Sequence, residues 1–496
     1  MIFFLTIILI VGCVFVFFGT SKYGLGLSPD SIIYLSVSQS LGQGNGFIKF
    51  DGSYYSNYPP LFPMILSILN FVNIDLMDGI KFFHALVYGL IIFFSGKILF
   101  NNLKLFPLLF LSPVFILFSI PIFYSSVMIW SELFFVFLTI LFIFFFIKFQ
   151  KNNKFSLLIV VSIIAALSVL QRYIGLTLIL SGIILLLFHK NTNNKFKLRN
   201  ILIFGIISCL PIAIWVLRNN LLTGTISGDT RTVCFLLNPF DQLLNAFHYI
   251  SIWFLPANFK ILRIVLFVFL LFFVGIEIKQ AFFQKNKTTY SLVLLIFSFV
   301  YLFSLVILAS LKSCEQLDDR LLTPLYFFIV YFLFSGFENI YKFLSKYYNK
   351  ILCSFIVFVS ISILLIHPIV IMGNRLQTFH KKGVEGYSSE IWQQSPIINF
   401  LIYQQENSTV LSNDPLAIYF FSNKKTTTIP DFIKKTSNEK SIYLVLFYDC
   451  PWDFTKEIEI LKSKYHFKKI KNFDDSEIFF LNSKIFGDGI NERNLP

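Results

Sequence analysis

Several residues in this 496-residue chain combine reactive side chains with placement at the ends of apolar blocks. Asp30 stands in Ser28-Pro29-Asp30-Ser31, and Tyr34 follows one helical turn later. Serine suits a helix cap, proline the first helical position and an acid the first turn, so Asp30 and Tyr34 share one face of a short helix. A carboxylate there can take a proton from a hydroxyl. It can equally do no more than complement the helix dipole, worth about 0.3–1 kcal/mol. Glu132, in Trp130-Ser131-Glu132, opens another apolar block. An ionisable group at that depth is a functional candidate, or a hydrogen-bonded structural acid. Arg172, Arg218, Arg231 and Arg320 also lie at block ends. Guanidinium groups hold phosphate through two parallel hydrogen bonds, but they also snorkel to lipid head groups or pair with Asp229, Asp318 and Asp319. Gly42, Gly44 and Gly46 follow the Asp30 helix with no strand before them, so they read as turn residues and not as a nucleotide-binding fingerprint.

The elements that must position these residues are membrane spans. Hydrophobic residues make up 56% of the chain, charged ones 14%, and the mean hydropathy is +0.73; soluble domains carry about 25% charge. A soluble protein is excluded. Apolar blocks of bilayer-crossing length predict eleven spans, near 2–19, 79–98, 105–121, 124–147, 155–171, 174–188, 201–217, 261–278, 289–311, 321–337 and 351–372. The first block lacks a basic leader and a small-residue cleavage pattern, so it is expected to be retained as a span. The stretch 61–73 is expected to lie in the interface or to re-enter partway, and 232–256 to form a second interfacial helix on the outside.

The formal charge of +14 raises the question of a polyanionic partner. Residues 372–496 are nearly neutral, with 16 Lys/Arg against 15 Asp/Glu, and the excess sits in loops between spans. Alternate loops hold 15 Lys/Arg in 50 residues and 8 in 116. That asymmetry predicts a cytoplasmic N-terminus, an extracytoplasmic C-terminus and the 20–77 loop outside. No nucleic-acid partner is needed to explain the charge; the lipid bilayer is the expected one.

Residues 373–496 read differently. Helical patterns at 396–405, 414–421 and 453–464 alternate with strand patterns at 409–412, 441–447 and in the last stretch. The expected architecture is therefore mainly α, a polytopic membrane domain over 1–372 with a small extracytoplasmic α/β domain over 373–496. The six cysteines show no metal-binding spacing. Cys234 and Cys314 are expected on outside segments, where a disulfide is chemically permitted.

The order of these features resembles the polytopic C-type (GT-C) glycosyltransferases that use polyprenyl-phosphate sugars, among them the aminoarabinose transferases and protein mannosyltransferases. The resemblance rests on Pro29-Asp30-Ser31 with Tyr34 after span one, the turn Gly42–Phe47, and Tyr58 before Pro59-Pro60-Leu61-Phe62-Pro63. It continues with Ser131-Glu132, the run Gln171–Leu176, Trp215 with Arg218-Asn219, and Asp319-Arg320 before Thr323-Pro324. Two departures stand out. Ser31 follows Asp30 where protein mannosyltransferases have an acidic pair, and Tyr58 stands where aminoarabinose transferases have a lysine.

The resemblance implies transfer of a sugar from a polyprenyl-phosphate carrier to an acceptor hydroxyl on a lipid, glycan or protein, on the outer face of the cell membrane. Asp30 would be the general base or would ligate a divalent metal ion beside the acceptor. Arg172, Arg218 and Arg320 would hold the donor phosphate, with Tyr34, Tyr58, Glu132 and Arg231 lining the substrate. A polymerase or ligase of lipid-linked glycans, a transporter and a non-catalytic subunit stay open as alternatives.

Overall fold

The structure is a computed structural model that describes residues 1–70, 75–188, 193–225, 237–283, 288–312, 317–403, 410–424, 426–434, 441–448 and 454–483. Among the described residues, nine helices are long and apolar enough to cross a bilayer, from Ile2–Gly19 to Lys350–Lys382. Two shorter apolar helices, Phe155–Gln171 and Tyr173–Leu187, account for the remaining expected spans. The protein is a multi-pass, mainly helical membrane protein with a small sheet near its C-terminus.

The boundaries move where local chemistry overrides hydropathy. The third span, expected to end at 121, runs on to Val127 with a break at Phe118-Ser119. There the Ser119 side chain accepts from Ile122 N–H and caps the second piece. Trp130 is extended, and Ser131–Asn152 starts a new helix after it. The last long helix, Lys350–Lys382, continues well past residue 372. The stretch expected at the interface near 61–73 contains the ten-residue helix Leu61–Asn70, and the one near 232–256 contains Pro239–Ile252.

The chain divides into two compact units: Met1–Leu25 with Ser56–Lys381, and Gly26–Tyr55 with Lys382–Pro496. In the first unit, buried polar groups bond between helices. Glu277 accepts from Ser335 and, at 3.5 Å, from Tyr331, whose hydroxyl also takes a hydrogen bond from Asn102 (2.8 Å). Glu338 accepts from Lys342 and from the Lys104 N–H (2.9 Å). These bonds satisfy groups that an apolar surrounding would otherwise penalise.

The second unit is built on a five-stranded sheet. Its strands are β1 (Val410–Ser412), β2 (Thr426–Thr428), β3 (Ser441–Phe447), β4 (Tyr465–Asn472) and β5 (Ser476–Ser483), in the order β2-β1-β3-β5-β4. β1 is parallel to β2 and β3; β5 is antiparallel to β3 and β4. Side chains alternate across the sheet. Val410, Tyr443 and Val445 join Ile397, Leu401 and Ile418 in one core, while Leu411, Ile442 and Leu444 join Phe432 and Leu461 in another. Both faces are thereby covered. β2 was not expected from the sequence, since three threonines show no apolar alternation.

The first-loop helix Pro29–Gly42 also belongs to the second unit. Ser28 caps it as the sequence predicts. The Ser28 side chain accepts from Ser31 N–H while Ser31 Oγ accepts from Ser28 N–H at 3.0 Å, a capping box closed by serine. Beyond the helix, Gly44 and Gly46 both take φ of +80°.

Candidate active site

Glu132 is the centre of the charged cluster in the first unit. It lies in the first turn of Ser131–Asn152 and is 2% exposed. Its Oε1 accepts from both Arg172 and Arg320. Burying an ionised carboxylate is tolerable only when it is paired and hydrogen-bonded, and two guanidinium groups meet that need. The arginine side chains keep 20% and 24% exposure.

Each arginine is placed by its own backbone device. Arg172 is extended between Phe155–Gln171 and a 3-10 turn, Tyr173–Gly175. The chain folds back so closely that a Cβ on Gly175 would lie 2.4 Å from the Ser168 carbonyl oxygen, so this turn requires glycine. Gln171 donates to the Ser131 carbonyl at 2.9 Å, and Arg172 to Ser131 Oγ at 3.1 Å. Arg320 sits in the short turn Asp319–Leu322, capped by Asp318, which accepts from Leu321 N–H at 3.0 Å. Its guanidinium lies 4.4 Å from the centre of the Trp130 ring, an attraction that adds to the ion pair.

Beside this cluster opens a cavity of about 300 Å³, lined by Tyr124, Trp130, Tyr249, Asp319, Arg320 and Thr323 among others. Trp253 donates to Asp319, and Tyr124 meets Trp130 edge to face at 5.3 Å. Arg375 lies 5.2 Å from the Tyr124 ring. Aromatic walls with a few convergent polar groups are the usual character of a ligand site.

Arg218 belongs to a neighbouring group. On Asn194–Thr223 it follows Trp215 by three residues, stacks 4.6 Å from that ring and donates to Asn219 at 2.9 Å. Asn219 donates in turn to the Ser56 carbonyl at 3.1 Å. Trp215 donates to the Tyr173 hydroxyl at 3.3 Å, which ties this group to the residue after Arg172. Tyr58, two residues beyond Ser56, is half-buried.

The structure thus brings Glu132, Arg172 and Arg320 into direct contact and holds Arg218 in a linked group. It places Asp30, partly exposed, and Tyr34, 3% exposed, on the second unit. Arg231, Asp229, Cys234 and Cys314 lie outside the described residues. Sequence reading missed the partnership of Glu132 with the arginines, since Glu132 and Arg320 are 188 residues apart. It also missed Trp253 and Arg375; a tryptophan and an arginine near block ends were the available signals. Among the described residues no three His, Cys, Asp or Glu side chains converge as a metal-binding set.

No protein-family model and no curated protein sequence matches the chain. Solved structures do. ArnT from Cupriavidus metallidurans in the apo state is similar over 96% of this chain and 97% of its own, with a TM-score of 0.62 at 9% identity. The same protein bound to undecaprenyl phosphate aligns over the same shares with a TM-score of 0.59. The Archaeoglobus fulgidus oligosaccharyltransferase covers 88% of this chain and 69% of its own, with a TM-score of 0.54 at 11% identity. This chain has the GT-C fold.

Proposed function

We propose that this GT-C protein is a glycosyltransferase that moves a sugar from a polyprenyl-phosphate carrier to an acceptor hydroxyl on the extracytoplasmic side of the cell membrane. The observation that carries the reading is the Glu132 carboxylate shared by Arg172 and Arg320 beside an aromatic-walled cavity. Two guanidinium groups fixed by one buried acid suit a phosphate leaving group better than mobile surface lysines would. The similarity to ArnT, one of whose structures holds undecaprenyl phosphate, supports a carrier of that class. The charge asymmetry of the loops supports the orientation.

In this reaction the acceptor O–H gives its proton to the Asp30 carboxylate. The oxygen forms a bond to the anomeric carbon, and the bond from that carbon to the phosphate oxygen breaks. The polyprenyl phosphate leaves with the electron pair. Arg172 and Arg320 stabilise the negative charge that grows on it, Glu132 orients both, and Arg218 adds positive charge nearby. A carrier already in the bilayer makes a nucleotide-binding domain unnecessary.

Mass spectrometry of lipid-linked sugars and surface glycans, with and without the gene, tests the reading. The expected result is an accumulated carrier-linked sugar together with one glycan or lipid lacking that residue. Unchanged pools of both overturn it.

A further inference from the structure

We infer that the helix bearing Asp30 is positioned by the C-terminal segment of the chain, with Gly386 and Tyr419 as the positioning residues. The inference rests on the reading of Asp30 as the base. Gly26–Tyr55 and Lys382–Pro496 form one compact unit despite their separation in sequence, and the contacts that join them hold the Asp30 helix at both ends.

At the start of the helix, Leu27 immediately precedes the capping serine. It pairs with Gly386 as an isolated parallel bridge, and its carbonyl accepts from the Tyr387 N–H at 2.9 Å. Gly386 has φ of +84°, and a Cβ there would stand 1.9 Å from the Leu27 carbonyl oxygen. Both the left-handed backbone and this approach demand glycine. At the far end, the Tyr419 hydroxyl donates to Gln39 Oε1 at 3.3 Å, and its ring stacks on Phe50 at 4.8 Å. Tyr419 lies on the helix Pro415–Ser422, which packs against Pro29–Gly42.

One carboxylate ties the two anchors together. The Tyr387 hydroxyl donates to both oxygens of Asp414 at 2.9 and 3.2 Å, and Asp414 caps Pro415–Ser422 by accepting from the Ala417 N–H at 3.2 Å. Tyr387, Asp414 and the helix Pro415–Ser422 therefore link the two anchors of the helix that presents Asp30. A base must be placed to within a fraction of an ångström, since about 1 Å of misplacement costs about 10²-fold in rate. A first loop held only by its own turns would not meet that tolerance.

The test uses the full-length protein in membranes, with sugar transfer read by mass spectrometry. Binding of undecaprenyl phosphate to the purified protein in nanodiscs is followed by tryptophan fluorescence. Gly386→Ala and Tyr419→Ala are expected to lower transfer at least about tenfold while leaving undecaprenyl phosphate affinity within about twofold of the parent. Amide exchange over Ser31–Gly42 should quicken in both. Tyr419→Phe, which keeps the ring stack, should recover most of the transfer. Parent-level transfer in Gly386→Ala and Tyr419→Ala, beside an inactive Asp30→Asn, overturns the inference and leaves the base assignment standing. Equal loss of transfer and of undecaprenyl phosphate binding also overturns it, since that marks general collapse. An active Asp30→Asn removes the base assignment itself.

Discussion

Glu132 and Asp30 both occupy the first turn of a helix, where the backbone dipole favours a negative charge, yet their surroundings differ in every other respect. Glu132 is sealed in the first unit under two guanidinium groups. Asp30 is partly exposed in the second, on a helix whose cap is closed by two serines. A carboxylate whose charge is consumed by two arginines is poorly suited to accept a proton but well suited to orient its partners. A carboxylate at an exposed helix start can meet a substrate. In the proposed reaction the same local position serves two roles, which differ in burial.

Substitution at the two acids gives the sharpest separation. Asp30→Asn keeps the size and the place in the helix, so it should change stability by less than about 1 kcal/mol while sugar transfer falls about 10²–10⁴-fold. Thermal unfolding in detergent reads the first quantity, and transfer assays on matched amounts of folded protein read the second. Asp30→Glu, which moves the carboxylate by about 1 Å, should lose about 10²-fold.

Glu132→Ala should behave in the opposite way. It leaves two cations facing each other in a buried setting, and loss of one member of such a cluster typically costs about 3–5 kcal/mol. Thermal unfolding in detergent should therefore drop markedly, and transfer per folded molecule should fall as well, because Glu132 no longer orients Arg172 and Arg320. A Glu132→Ala protein of parent stability that has lost transfer would erase the contrast between the acids.

A smaller effect is expected at the arginines. Arg172→Lys and Arg320→Lys keep the charge but lose the planar fork. They should weaken undecaprenyl phosphate binding by about tenfold, or about 1.4 kcal/mol, with the alanine variants worse. Parent affinity in all of them would place the phosphate elsewhere.

The smallest effect concerns pH. Burial pushes the Asp414 carboxyl above its ordinary value of 3.8, against the pull of its hydrogen bonds from Ala417 and Tyr387. A raised acid holds more protons folded than unfolded between the two values, so stability falls as pH rises through that window and stays lower above it. The second unit should therefore resist amide exchange better at the acid end of the window than at neutrality. Asp414→Asn should flatten that slope; an unchanged slope would assign it to another group.

Much of the fold was legible because its signals are local. Every span follows from a run of apolar residues, the strand β3 from an apolar run, and β4 and β5 from alternation. The helix start at Ser28-Pro29-Asp30 was readable from three adjacent residue types. The site was legible only in its parts. Glu132, Arg172 and Arg320 each drew notice as charges at span ends, but nothing in a linear sequence pairs residues 132 and 320. The attachment of the first loop to the C-terminal segment was less visible still. Its anchor at Leu27 and Gly386 uses backbone atoms, which every residue carries, and the one side-chain clue was a glycine whose left-handed conformation leaves no local mark.

That long-range attachment bears on how the protein is made. Gln39 and Tyr419 are 380 residues apart in the chain, and ribosomes add about 5–20 residues per second. The Asp30 helix therefore emerges on the order of 20–80 s before the segment that completes its frame has been synthesised. Through that interval every later span must be threaded into the bilayer while the helix lacks its final contacts. A nascent chain stalled within Lys350–Lys382 would already carry Glu132, Arg172 and Arg320 but would lack Gly386 and Tyr419. Completion of the frame around the Pro29–Gly42 helix is thus coupled to synthesis of the segment that carries Tyr419.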